Sequence, residues 1–123
     1  MKKLNFDKYN VELVKGNYTN GRLAINMLET GTQNMMGSLT VNIPEAMFYG
    51  ETLGESECYE ALINHIDGFH YDFILEWLEE NNLINVNAFV GEVQSGFNFY
   101  KGVDFKSNVV SNMRSLDEVK RTF

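Results

Sequence analysis

Four residues between positions 65 and 72, His65, Asp67, His70 and Asp72, are of the types that bind divalent metals or move protons. A helical zinc pair places its histidines at i and i+4, so that both imidazoles leave one face. Here the two histidines are five positions apart with Gly68 between them, and no cysteine ligand is near. Turn polarity and helix capping account for them as well as a metal does. Cys58, the only cysteine, could join His65 or His70 as a thiol nucleophile. A reactive thiolate needs electropositive surroundings, whereas Glu55, Glu57 and Glu60 crowd this thiol, which reads as partly buried and inert. Seventeen carboxylates are present, but acid–base chemistry on a glycoside needs two in distinct environments across a cleft, and none are singled out. Neither GxxxxGK[ST] nor GxGxxG occurs, so no phosphate loop is present. No catalytic residue, metal ligand or cofactor is therefore assigned.

The distribution of charge is more informative than any single residue. Net charge is −7, and no lysine or arginine occurs between Arg22 and Lys101, an interval with twelve acids. A basic stripe for nucleic acid is missing from the middle of the chain, and direct DNA or RNA binding is not expected. Such an interval serves either as a solvated face or as a surface that attracts a basic partner protein. Glu51, Glu55, Glu57 and Glu60 lie in the connection that leads to the main helix, and Asp72, Glu76, Glu79 and Glu80 lie on that helix. These eight are expected to form one contiguous negative surface.

The 123 residues suffice for one domain, 1–123, with its own core. Apolar content of 44% with 22% charged residues fits a globular chain rather than a disordered one. A single cysteine permits no internal disulfide and fits a reducing compartment. The opening MKKLNFDKYN lacks the apolar stretch of a secretory signal, and no apolar run approaches the roughly 18 residues needed to span a bilayer. The expectation is a cytoplasmic protein with no membrane association; oligomeric state is not encoded in any pattern here.

The elements that must position these residues follow from periodicity. Val11, Leu13 and Lys15 alternate with Glu12, Val14 and Gly16; Leu23, Ile25 and Met27 alternate with Ala24, Asn26 and Leu28. Asn20-Gly21 between them predicts a two-residue type I′ turn. A third strand, Met36 to Ile43, ends at Pro44, which has no N–H for a ladder. Residues 9–43 thus read as a three-stranded meander. Residues 59–66 fit a helix through Tyr59, Leu62, Ile63 and Ile66, and fit a strand through Ala61, Ile63 and His65 equally well. Phe69, Phe73, Ile74, Trp77 and Leu78 make an apolar stripe over about 69–82, with Asp67 as N-cap and Asn81-Asn82 as terminators. Strands near 86–93 and 96–105 follow, and Ser115 with Glu118 forms a capping box for a short C-terminal helix. The fold class is α+β: an antiparallel sheet of about five strands with the 69–82 helix across one face, its stripe meeting Leu23, Ile25, Leu39 and Val41.

The segments YTNGRLAINML, GSLTVNIP, LEENNLI and QSGFNFYKGVDF together resemble a family of small proteins of phages, plasmids and conjugative elements catalogued as a domain of unknown function. The matching positions are Asn20, Gly21, Arg22, Ala24, Leu39, Thr40, Val41, Asn42, Pro44, Ser95, Gly96 and Phe97, within roughly residues 16–105. The stretch 45–68 is longer and more acidic than the family pattern. The resemblance implies an accessory protein of a mobile element and carries over no catalytic residue. The strand–Asn-Gly–strand start with its acid-rich continuation is also similar, by analogy, to antirestriction proteins that imitate DNA.

Three functions are therefore set against each other: a non-catalytic interaction protein that binds a basic protein through its acidic surface, a counter-defence inhibitor that mimics nucleic acid, and a small ligand-binding domain or enzyme. The last calls for a pocket lined by aromatics such as Phe48, Tyr49, Phe97 and Tyr100.

Overall fold

The computed structural model describes residues 3–52, 58–86, 88 and 90–121, leaving the side chains of Tyr49, Thr52 and Arg121 outside that description. The chain runs β1 (Leu4–Phe6), β2 (Tyr9–Asn17), β3 (Leu23–Glu29), β4 (Met35–Ser38), β5 (Thr40–Val41), α1 (Tyr49–Thr52), β6 (Glu60–Ile63) and α2 (Tyr71–Glu80). It continues with β7 (Glu92–Ser95), β8 (Asn98–Asp104), α3 (Ser107–Ser111), β9 (Arg114–Ser115) and α4 (Leu116–Arg121). The class is α+β, with the antiparallel meander, one main helix and a short C-terminal helix. The strands divide between two sheets. The first has the order β1-β2-β3-β4, with β9 added parallel to β2; the second has the order β5-β6-β8-β7.

The third strand of the meander is shared between the sheets. Its first half, β4, pairs with β3, and its second half, β5, pairs with β6. Leu39 sits at the corner: its N–H donates to the Ile25 carbonyl at 2.8 Å, and its carbonyl accepts from Asn64 N–H at 2.9 Å. Alternation alone shows one continuous strand here, because the backbone is extended on both sides of the corner. Residues 60–63 resolve as strand rather than helix, since β6 must pair with both β5 and β8. Of the expected strand at 86–93, only Glu92 and Val93 are in a strand, while Asn87 and Phe89 lie outside the described residues.

The β2–β3 turn differs from the two-residue I′ type. Asn17 pairs with Leu23, Tyr18 N–H bonds to Arg22 O at 2.9 Å, and Gly21 N–H bonds to Tyr18 O at 2.8 Å. Only Gly21 takes positive φ (87°), so the loop has three residues with the glycine in the left-handed position. By contrast, Gly96 (φ 62°) and Phe97 close a two-residue turn between β7 and β8, with the glycine in the first central position and Phe97 held outward.

Both sheets contribute to one core with α2. Leu13, Ile25 and Met27 from the first sheet, Ile63 and Val103 from the second, and Ile74, Trp77 and Leu78 from α2 are buried together. Burying each large side chain is worth about 1.5–3 kcal/mol. Phe69 and Phe73 are only partly buried, and their partner is Phe6 of β1, whose ring lies 4.7 and 5.3 Å from theirs. Val41 does not meet the helix; it packs on the far side of the second sheet with Ala46, Phe48 and Leu62. On the far side of the first sheet, α4 covers Val14 and Leu28 with Val119.

The helix begins later than the stripe suggests. A turn closed by Phe69 N–H to Ile66 O (3.1 Å) precedes it, so His70 and not Asp67 occupies the N-cap. Its end matches expectation in detail. Asn82 takes φ 56°, Asn82 N–H bonds to Glu79 O at 3.0 Å, and Leu83 N–H bonds to Leu78 O at 3.1 Å. That is a Schellman motif with asparagine in the left-handed position. The capping box also forms: Ser115 Oγ accepts from Glu118 N–H at 3.1 Å, and Glu118 reaches back to Ser115. The C-terminal segment is fixed to the first sheet by β9 and by a two-point ion pair, Arg114 to Glu12, at 2.7 and 2.8 Å.

Candidate functional site

α2 buries one side and presents the other as carboxylates. Asp72, Glu76, Glu79 and Glu80 are all exposed. At 3.6 residues per turn they fall within an arc of about 100° along roughly 12 Å of axis. Asp72, in the first turn, is favoured by the positive end of the helix dipole. Glu79 and Glu80 are not: they occupy the last turn, where no basic residue stands and the dipole disfavours negative charge. The ion pairs among the described residues, Arg22–Glu51 and Arg114–Glu12, leave these four carboxylates unpaired.

The other four acids of the expected surface do not join them as foreseen. Glu55 and Glu57 lie outside the described residues. Glu60 is buried at 8% exposure and accepts from Gly50 N–H at 2.8 Å, so it belongs to the interior. Alternation within β6 turns it toward the same side as Leu62, which the acidity of the surrounding sequence cannot reveal. Glu51 is exposed but engaged, since both its oxygens accept from Arg22 at 2.9 and 3.0 Å.

Arg22 is a structural hub. Beyond Glu51 it donates to Ile43 O at 2.8 Å and to Ala46 O, and its guanidinium lies 4.2 Å from the Phe48 ring centroid. Two neighbouring bonds tie the same segments: Tyr18 Oη to Thr40 Oγ1 at 2.9 Å, and Asn20 Nδ2 to Asn42 Oδ1 at 3.1 Å. The N-G-R and L-T-V-N-I-P segments are thus two halves of one clasp, and folding accounts for their residue types.

His65, Asp67, His70 and Asp72 are not assembled around a point. His65 Nε2 lies 2.9 Å from Phe99 O, and its ring stacks on Tyr71 at 4.1 Å. Asp67 stands in the turn before the helix and His70 at its cap. Among the described residues no three His, Cys, Asp or Glu side chains gather as a metal would need. Cys58 is half-buried against the Ala46, Phe48 and Leu62 cluster. Tyr71 Oη donates to Ile63 O at 2.6 Å and accepts from Lys101 N–H at 2.8 Å. Burial pushes its pKa up to about 12; the Lys101 bond opposes this and the charge of Glu92 adds to it. Phe48 and Tyr100 pack around Leu62, whereas Phe97 is fully exposed at 103% on the hairpin tip. The aromatic lining expected of a ligand-binding domain is therefore split, and the Tyr49 side chain lies outside the described residues.

A different cavity exists where sequence reasoning did not look. A cleft of about 780 Å³ opens between the end of β2 and the C-terminal segment, lined in part by Lys15, Asn17, Ser111, Ser115, Leu116 and Asp117. Its β2 and C-terminal walls are nearly 100 positions apart in sequence and are brought together by the parallel β2–β9 pairing, the Arg114–Glu12 ion pair and the bond from Lys15 Nζ to Val110 O. No helix among the described residues is long and apolar enough to cross a membrane.

The fold and these sites define an α+β domain with an acidic helix face. Comparison with known proteins adds no relative: no protein-family model, no curated protein and no solved structure matches the chain.

Proposed function

We propose that this chain is a non-catalytic interaction protein that binds a basic surface on another protein through the exposed carboxylates of α2. The observation that carries this reading is the placement of Glu79 and Glu80. Both sit at the helix end where the dipole works against them, each at a cost of about 0.3–1 kcal/mol, and neither a basic residue in the last turn nor an ion pair among the described residues offsets it. Stability does not require them, and a cationic partner would relieve them. Complementary charge of this kind accelerates encounter and fixes orientation. The resemblance of residues 16–105 to small mobile-element proteins supports an accessory role in a bacterial cell, with a host or element protein as target.

The test compares wild type with Glu76→Lys/Glu79→Lys and with Glu45→Lys, an exposed acid off the helix. Partners retained on immobilised wild type at low salt are expected to be lost from the α2 variant and kept by Glu45→Lys. Retention should also fall as salt rises. Equal capture by all three proteins would end the proposal. If the captured partner is a nuclease and added nucleic acid displaces the chain, the counter-defence form of this reading gains support.

A further inference from the structure

The cleft beside β2 contains a cation without a direct ion pair in a strongly acidic protein. Lys15 is half-buried, and its Nζ donates to Val110 O at 3.1 Å. An ammonium has three donors, and no carboxylate among the described residues lies within ion-pair distance of this one. Lys15 is the only cation among the described residues lining the cleft. The rest of the wall is mixed: the hydroxyl residues Ser111 and Ser115, the amide of Asn17, and apolar surface from Leu23 and Leu116. A volume of about 780 Å³ suits a small molecule.

We infer that this cleft binds a small organic carboxylate, its anionic end on Lys15 Nζ and its apolar body against Leu23 and Tyr59. Charge arithmetic selects a monoanion. The lining holds one lysine and one acid, Asp117, so the cleft can pair one negative charge at most, and a phosphate monoester carrying nearly two would keep the other unpaired. A carboxylate places a single charge on the single ammonium and makes a charge-assisted hydrogen bond. The apolar wall beside Lys15 gives affinity that grows with each buried methylene. This site is independent of α2 and of the acidic-face reading.

The test is an amide-resolved NMR titration of the full chain with acetate, butyrate and hexanoate, with inorganic phosphate as comparator. Saturable shifts are expected at Gly16, Ser111 and Ser115, strengthening from acetate to hexanoate and weak with phosphate. Lys15→Met keeps the aliphatic stem and should weaken hexanoate by about tenfold or more, the value of a lost hydrogen bond to a charged group; Lys15→Arg should retain binding. Asp117→Asn should tighten it, and this variant decides the matter if Lys15→Met does not fold. Absence of saturable shifts, binding untouched by Lys15→Met, unchanged or weaker binding in Asp117→Asn, or phosphate binding above hexanoate would each overturn the inference.

Discussion

The indole N–H of Trp77 donates to the carbonyl of Asn5, a bond that spans 72 positions of sequence and fastens α2 to β1. The Phe6 ring meets the indole edge-on at 5.0 Å, and Trp77 is only 4% exposed. Trp77→Ala should therefore cost about 3–5 kcal/mol. Trp77→Phe retains an aromatic ring but leaves the Asn5 carbonyl without that donor, at about 1–2 kcal/mol. Urea denaturation checks both; a midpoint for Trp77→Ala within error of wild type would contradict this packing.

Tyr71 predicts a loss of stability at alkaline pH. An unfolded tyrosine ionises near 10.0, whereas the folded one holds its proton to about 12. Folding thus binds the proton more tightly, so its contribution is fully present below pH 10 and is lost as pH rises toward 12. Tyrosinate absorbance should include a late-titrating component from Tyr71 in the folded protein. Tyr71→Phe should remove that late group and flatten the alkaline decline. It should also cost about 1–3 kcal/mol at neutral pH, because Ile63 O and Lys101 N–H lose their partner.

Arg22 should not tolerate lysine. Its side chain is 9% exposed, and its fork serves a carboxylate and two carbonyls at once, a geometry an ammonium cannot reproduce. Arg22→Ala is expected to cost about 2–3 kcal/mol, the order of one hydrogen bond to a charged group. Arg22→Lys should recover less than half of that. Hydrogen exchange at residues 43–48 reads the effect locally, since the clasp holds that connection down; unaltered protection there would refute it.

For the acidic face, the stability of the free protein is the readout. Added salt should raise the melting temperature by screening the carboxylates of α2, and Glu79→Lys alone should raise it at low salt by removing dipole conflict. A melting temperature indifferent to both changes would show that these charges carry no strain.

The parts of this fold legible in the sequence are those governed by short-range rules. Asn81 and Asn82 end α2 and Ser115 caps α4 because the relevant bonds span a few residues. The ambiguity at 59–66 resolved through partners distant in sequence: Leu62 pairs with Val41 and with Gly102. The bend at Leu39 has the same origin, since nothing in an alternating pattern records that the two halves of a strand will choose different neighbours. For the acids, helical spacing puts Asp72, Glu76, Glu79 and Glu80 within one arc of α2, and all four are exposed. Glu60 was misplaced because net charge in a window says nothing about which face a strand residue takes. Lys15 lacked any signal, as its surroundings come from residues 110–117.

The parallel strand that closes the first sheet also sets a timetable. Leu13 and Val14 emerge from the ribosome long before Arg114 and Ser115, yet Val14 pairs with Arg114 and Lys15 with Ser115. Until those residues are made, that edge of β2 is open and Glu12 lacks the guanidinium that will grip it 102 positions later. The hairpin of β2 and β3 can form early, but the sheet cannot be completed during synthesis of the middle of the chain. Long-range closure of this kind is slow and leaves strand edges exposed to neighbouring nascent chains. For this protein, the first sheet is completed only once residues 114 and 115 have been made.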